Sequence, residues 1–134
     1  MESSHTAVDQ VISRFYSAFS NVDGAAPVDS LYEICLPEAV IVNATNEAPA
    51  IYSVREFAEP RRRLLASDAL VNFRAFEISG DTDVHERIAR RTSHYEKTWL
   101  ESGTQKTGRG TKMFSLILMP SGWKIASVVW RDVT

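Results

Sequence analysis

Cysteine is nearly absent from this sequence, because Cys35 is the single one among 134 residues. One cysteine cannot form a disulfide within the chain, and it excludes metal clusters held by several thiolates. Cys35 lies between Ile34 and Leu36, where a thiol commonly serves as a small buried apolar side chain. We therefore predict a structural role for Cys35.

An excess of one charge and long apolar runs are also missing. The chain carries 15 Lys and Arg against 17 Asp and Glu, so no positive field attracts nucleic acid or an anionic membrane. No apolar run approaches the roughly 20 residues that span a bilayer, and the first ten residues lack the basic and apolar regions of a secretion signal. These absences predict a cytoplasmic protein without nucleic-acid or membrane partners. Neither a repeat nor a linker divides it, so one domain, residues 1–134, is expected.

What the N-terminal half does contain is helical periodicity. One apolar stripe at helical spacing predicts the first helix: Val8, Val11, Ile12, Phe15 and Phe19. A second, short helix is predicted from near Asp29 to Pro37. A third is expected to begin at the capping box formed by Ser53 and Glu56, and Pro60 should kink or split it. Short strands are predicted at residues 39–44 and 50–52.

From Leu70 onward the apolar period changes from 3.6 to 2, which predicts strands. Residues 70–78 are predicted to form a strand that ends in a turn at residues 79–83. Residues 85–100 should form one long strand that must bend over a small domain. Residues 101–110 are predicted to form a polar loop, in which some strand pairing stays open as an alternative. Helices followed by a meander of strands indicate an α+β fold. We expect three helices on the concave face of a strongly curved, mostly antiparallel sheet.

The C-terminal hairpin carries apolar side chains on both of its faces. The face expected to line the interior consists of Phe114, Leu116, Ile125 and Val129. The opposite face consists of Met113, Ile117, Val128 and Trp130. The helices can cover only one face, so the other would leave a large apolar patch on a monomer. A second copy is the simplest cover, which predicts a homodimer through the outer sheet face.

The order of these elements resembles a nuclear transport factor 2-like domain, and more narrowly its SnoaL-like branch. The resemblance covers about Val8 to Val133, and it is carried by the helix VISRFYSAFS, the strand EAVIVN and the ending GWKIASVVWRD. It implies a cone whose pocket binds a small organic molecule, and dimerisation through the outer sheet face. The superfamily includes isomerases, cyclases, dehydratases and epoxide hydrolases, but also transport and association domains, so the resemblance implies a fold more than a function.

The catalytic groups of the ketosteroid isomerases in that superfamily are not matched here. The position of their tyrosine donor corresponds to Phe15, and Tyr16 is rotated from it by about 100°. Their aspartate base corresponds to Asn43, whose amide cannot accept a proton at neutral pH. The position of their protonated carboxylic acid falls near Lys112 or Phe114. We therefore predict a protein that is not a ketosteroid isomerase.

His94 is the leading candidate for catalysis. If the even-numbered residues of the long strand face the pocket, His94 and Glu96 are neighbours and form an acid–base pair. The resemblance implies that His or Asp groups in the cone of related cyclases and dehydratases enolise a substrate carbonyl. The alternative is a structural or interface role for His94. His85 lies nine positions earlier, on the opposite face of a regular strand, so no metal site is predicted.

Two functions stay open from the sequence. In the first, the protein is an enzyme that isomerises, cyclises or dehydrates a small molecule without any cofactor. His94 would then be the acid or base, with Tyr16 and Asn43 as orienting donors. In the second, it is a non-catalytic ligand-binding or association domain. In that case the polar groups would be incidental. The predicted ligand-binding residues are Phe15, Asn43, Phe57, Phe114 and Arg131.

Overall fold

The structure, a computed structural model, describes residues 3–133, and within them the chain forms three helices and one six-stranded sheet. The helices are α1 (Ser4–Ser17), α2 (Ser30–Ile34) and α3 (Val54–Leu65). The strands are β1 (Cys35–Asn43), β2 (Ala50–Tyr52), β3 (Val71–His85), β4 (Ile88–Glu101), β5 (Thr104–Met119) and β6 (Gly122–Val133). Of the helices within these residues, none is long and apolar enough to cross a membrane.

The helices follow the local signals in the sequence closely. The capping box of α3 is present, because Ser53 Oγ accepts from the Glu56 N–H and Glu56 Oε1 accepts from the Ser53 N–H. The helix continues through Pro60, so the expected split does not occur. The second helix ends at Ile34 rather than at Pro37, since the chain passes directly from α2 into β1.

The sheet has the strand order β2-β1-β6-β5-β4-β3. Neighbouring strands are antiparallel, except that β1 runs parallel to β6. Helix α1 packs on β3 and β6, and α3 packs on β1. Between the helices and the sheet lies the core, in which Phe15, Phe114 and Ile125 are fully buried. The α+β prediction and the mostly antiparallel sheet are thus confirmed.

Two strand boundaries differ from the prediction. Residues 79–83 are not a turn, because β3 continues to His85 and the chain turns at Glu86, whose φ is 54°. Residues 101–110 are mostly strand rather than loop, which is the alternative left open for this segment, because the chain turns at Ser102 and Gly103 and β5 begins at Thr104. Polar segments of this kind form strands when the backbone hydrogen bonds of a neighbouring strand hold them, and residues 104–110 pair with β4 along their whole length.

A β-bulge in β6 reverses the predicted faces of the last strand. Ser115 pairs with Ser127 but Leu116 pairs with Ile125, so Ala126 is an extra residue. An extra residue turns every later side chain to the opposite face. Val128 and Trp130 are therefore buried, and Val129 is 40% exposed. The predicted faces are wrong for these three residues: Val129 does not line the interior, and Val128 and Trp130 do not lie on the outer face.

Candidate functional site

A cavity of about 370 Å³ lies between α1, α3 and the inner face of the sheet. Most of its apolar wall is aromatic: Phe15, Phe19, Phe57, Phe73, Trp99 and Trp130. Its polar and charged groups include Asn43, Arg61, Tyr95, Lys97, Lys112 and Asp132. A volume of this size accommodates a small organic molecule.

Lys112 extends from β5 into the aromatic part of the cavity. Its Nζ lies 4.2 Å from the ring centroid of Tyr95, 4.6 Å from that of Trp130 and 6.0 Å from that of Phe15. Within residues 3–133 no group forms a hydrogen bond with this Nζ. Burial lowers the pKa of Lys112 to about 7, although the nearby charge of Asp132 opposes the shift. At neutral pH the side chain is therefore divided between ammonium and free amine.

Tyr95, Asp132 and Lys97 form a hydrogen-bonded group beside Lys112. The Tyr95 hydroxyl donates to Asp132 Oδ1, and Lys97 Nζ lies 3.4 Å from the same oxygen. Burial alone would raise the pKa of Asp132, but the Tyr95 hydrogen bond and the charges of Lys97 and Lys112 outweigh it and lower this pKa. Burial, together with the bond to Asp132, raises the pKa of Tyr95. Asp132 is consequently ionised and Tyr95 protonated at neutral pH.

Gly110 of β5 explains how the side chains of Tyr95 on β4 and Asp132 on β6 meet. Tyr95, Gly110 and Asp132 lie in one row across the three strands. A Cβ at Gly110 would overlap the Tyr95 hydroxyl and lie 2.5 Å from the carbonyl oxygen of Arg131. Without that Cβ, the ring of Tyr95 passes over β5 and its hydroxyl reaches Asp132.

Tyr16 lines the cavity, but its hydroxyl proton points away from a ligand. Ser93 Oγ donates to Glu77 Oε2 at 2.5 Å, and the Tyr16 hydroxyl lies 2.7 Å from Ser93 Oγ. A serine has one hydroxyl hydrogen, which is used toward Glu77, so Tyr16 must be the donor to Ser93. Burial raises the pKa of Tyr16. The predicted role of Tyr16 as a donor to the ligand would require this bond to break.

Arg91 completes this network behind the cavity. Arg91 is only 7% exposed. Its guanidinium binds the Glu77 carboxylate through two nitrogens. It also contacts Asp9 of α1 and Thr82 Oγ1. Burial lowers the pKa of Arg91, but the bonds to Glu77 and Asp9 outweigh it, and the net direction is upward. The network holds α1 against β3 and β4, and thereby positions Tyr16 in the cavity wall.

Three other predicted ligand-binding residues also line the cavity. Phe15 and Phe57 form part of its aromatic wall. Asn43 lines it at the end of β1, where Oδ1 accepts from the Thr45 N–H at 3.1 Å. Phe114 is buried behind Phe15, with ring centroids 5.1 Å apart, and is not part of the wall.

The placements predicted for His94 and Arg131 are wrong. The odd-numbered residues of β4 face the cavity, so His94 is exposed on the outer face, where Nδ1 lies 3.0 Å from Thr111 Oγ1. Arg131 is exposed as well, because the bulge at Ala126 turns Asp132 inward in its place. Neither side chain reaches a ligand in the cavity.

Sequence reasoning missed most of the polar groups in the cavity, namely Arg61, Tyr95, Lys97, Lys112 and Asp132. One signal was available for Lys112, which is the only charged residue in the apolar run from 112 to 119. A lone lysine in such a run commonly faces a cavity or a partner charge. In the part of the chain that the structure describes, no group of three or more His, Cys, Asp or Glu side chains could hold a metal ion.

Comparison with known proteins identifies the fold. No protein-family model matches the sequence, and the comparison with curated proteins found no match. A nuclear transport factor 2-like superfamily protein from Salmonella enterica is 13% identical, with a TM-score of 0.75 over 95% of this chain and 89% of that one. A similar protein of unknown function from Silicibacter pomeroyi is 21% identical, with a TM-score of 0.68 over 99% of this chain and 100% of that one. A Xanthomonas campestris protein, named as a candidate calcium/calmodulin-dependent protein kinase II association domain, is 10% identical, with a TM-score of 0.73 over 98% of this chain and 89% of that one. The chain therefore has the nuclear transport factor 2-like fold.

Proposed function

We propose that the cavity binds a small organic molecule with an aromatic or apolar body and one carboxylate or carbonyl group. The observation that carries this proposal is the Lys112 Nζ, which faces the cavity among three rings with no hydrogen-bond partner in residues 3–133. A ligand oxygen would supply that partner, and the ligand body would pack on the same aromatic wall. An ammonium donor to a carboxylate oxygen forms a strong, charge-assisted hydrogen bond.

The charges around the cavity favour the same ligand class. Three cationic side chains line it, Arg61, Lys97 and Lys112, against the two carboxylates of Glu101 and Asp132. The whole chain has a net charge of −2, so the cavity is more positive than the rest of the protein. A positive, partly apolar site concentrates organic anions.

The same groups support acid–base chemistry that needs no cofactor. An amine whose pKa is near 7 is well matched to proton transfer at neutral pH. With the free amine of Lys112 as base, a proton can leave the carbon next to a ligand carbonyl, while the Lys97 ammonium stabilises the enolate. Isomerisation, cyclisation and dehydration all proceed through such a step. These roles replace those that the sequence predicted for His94.

A direct test compares ligand binding by Lys112→Met and Lys106→Met, because Lys106 is exposed and outside the cavity. We expect 2-naphthoate to quench tryptophan fluorescence, since Trp99 and Trp130 line the site. Lys112→Met should weaken binding roughly 10-fold to 100-fold, the value of one charge-assisted hydrogen bond. Lys106→Met should bind 2-naphthoate as the unchanged protein does.

For the unchanged protein, the affinity for 2-naphthoate should fall as the pH rises above about 7, because Lys112 loses its proton. Equal affinities of the two variants, or no binding at all, would contradict the proposal.

We also propose that the protein is a homodimer that pairs through the outer sheet face. Apolar side chains lie together there on four strands, with Met113 paired to Val129, Val129 to Val42, and Val42 to Ile51. Val42 is half-buried and the other three are exposed. Met113 is 56% exposed. A second copy would bury these side chains by symmetry. The same surface supports the alternative function, an association domain without chemistry. The Xanthomonas protein is itself named as a candidate association domain.

Val129→Glu is expected to convert the dimer into a monomer. A buried glutamate at the centre of a two-fold interface would be opposed by the same charge of its partner. Light scattering at micromolar concentration should then give 15.0 kDa instead of twice that mass. Val71→Glu is the matched control, because Val71 is also 40% exposed but lies on the edge strand β3. A 15.0 kDa species for the unchanged protein would exclude the dimer.

A further inference from the structure

We propose that the Lys112 amine forms a reversible imine with an aldehyde or ketone held in the cavity. This inference rests on the proposed small-molecule function and names the substrate class more narrowly. Its geometric basis is an amine that faces a cavity, has no hydrogen-bond partner within residues 3–133 and lies 4.2 Å and 4.6 Å from the centroids of two rings. The rings provide an apolar surface on which a carbonyl compound can lie with its carbon beside the nitrogen.

The other lysines of the chain lack this combination. Lys97 Nζ lies 3.4 Å from a carboxylate oxygen of Asp132, and Lys124 Nζ donates to the carbonyl oxygen of Glu33 at 2.5 Å. Lys106 is exposed to solvent. Each of these ammonium groups is held by an acceptor or by water, whereas Lys112 is surrounded by rings. The free amine is the nucleophile in imine formation, and a pKa of about 7 makes much of Lys112 a free amine at neutral pH.

The reaction consists of an addition and a dehydration. The Nζ lone pair attacks the carbonyl carbon and forms the C–N bond, while the π electrons of the C=O bond move to oxygen. A proton passes from nitrogen to that oxygen and gives a carbinolamine. A hydronium ion from solvent protonates the hydroxyl, which leaves as water while the nitrogen lone pair forms the C=N bond, so the product is the protonated imine. One water is released and no redox partner is needed, so hydrolysis reverses the reaction.

Asp132 is placed to stabilise the cation that results. The protonated imine carries a positive charge, and the Asp132 carboxylate already interacts with the charge on Lys112 when that amine is protonated. The iminium also acidifies the carbon next to it. In the adduct the Lys112 nitrogen is bonded to the ligand and is no longer a free amine, so imine formation takes the place of the direct base role proposed for Lys112 above.

Reductive trapping tests the inference on the intact protein. The protein is incubated at pH 7 with 2-naphthaldehyde and cyanoborohydride, which reduces an imine to a stable secondary amine, and the labelled lysine is identified by peptide mass mapping. We expect Lys112 to be labelled at least about 10-fold faster than any other lysine, because an ordinary lysine is almost fully protonated at this pH. Lys112→Met should abolish the fast label, and Lys106→Met should retain it. Labelling spread evenly over the four lysines would overturn the proposal.

The carboxylate 2-naphthoate separates this inference from the proposed function, because it binds without forming an imine. If 2-naphthoate binds but Lys112 is not labelled, the imine is excluded and the binding function stands. If neither binding nor labelling occurs, both proposals fail. Labelling of Lys112 without 2-naphthoate binding would support the imine and would exclude the carboxylate as a ligand class. Each comparison of binding or labelling requires that Lys112→Met is folded, which its cooperative thermal unfolding shows.

Discussion

Arg91→Met is expected to lower the free energy of unfolding by about 3 kcal/mol, the lower end of the range for breaking a buried ion pair. The Arg91 guanidinium binds Glu77 through two nitrogens and also contacts Asp9 and Thr82. Methionine fills a similar volume but leaves the largely buried Glu77 carboxylate without its cation. The loss also releases Asp9, and with it the contact that holds α1 to the sheet.

Arg90→Met is the matched control for this prediction. Arg90 is the preceding residue on the same strand, but its side chain is 72% exposed and its partner Asp83 lies 2.7 Å away on the surface. Exposed pairs of this kind contribute less than about 1 kcal/mol. Urea unfolding at one fixed protein concentration should therefore separate the two variants. Adding Glu77→Gln to Arg91→Met should restore part of the loss, and equal stabilities of Arg90→Met and Arg91→Met would contradict this account.

Lys112→Met is expected to stabilise the protein, and the gain should depend on pH. The pKa of Lys112 is about 7 in the folded protein and 10.5 ordinarily. Between these values the unfolded chain binds more protons than the folded protein, so the stability of the unchanged protein should rise with pH from about 7 to about 10.5. Below pH 7 the cost of the buried ammonium is present in full, and methionine removes it.

The size of this gain follows from the two pKa values. Their difference corresponds to about 5 kcal/mol at most. Lys112 is only half-buried, so solvent screening should reduce this figure to about 2 kcal/mol. Thermal or urea unfolding at pH 6 and at pH 9 measures the change, and Lys106→Met should show no such pH dependence. If Lys112→Met were less stable than the unchanged protein at pH 6, the ammonium would be stabilised rather than penalised by its surroundings. The free amine needed for the imine would then be absent.

Local sequence patterns account for the elements and the fold. The apolar stripe that includes Phe15 gives α1, and the capping box of Ser53 and Glu56 gives the start of α3. The turn at residues 120–122 joins β5 to β6 as predicted. These features depend on neighbours in the chain, which a sequence displays directly. Their order was sufficient to indicate the nuclear transport factor 2-like fold, which the solved structures confirm.

The composition of the site could not be predicted in the same way, because the face of each strand residue depends on pairing with other strands. The extra residue Ala126 has no distinguishing sequence signal, yet it places Asp132 inside and Arg131 outside. The face of β4 was likewise open from the sequence, and the structure places Tyr95 inside and His94 outside. A pattern of period two predicts which residues share a face, but it does not predict which face becomes the interior.

The sequence by itself therefore determined the helices, most of the strand positions and the α+β fold class, because local periodicity and caps specify these features. The strand ends at residues 79–83 and 104–110 depended on pairing with neighbouring strands. Only the tertiary structure decided the chemistry of the cavity. Tyr95, Gly110 and Asp132 come from three strands and meet because the register aligns them in one row. Lys112 has a pKa near 7 because the fold buries its amine among aromatic rings, and burial is a property of the packed structure rather than of the chain.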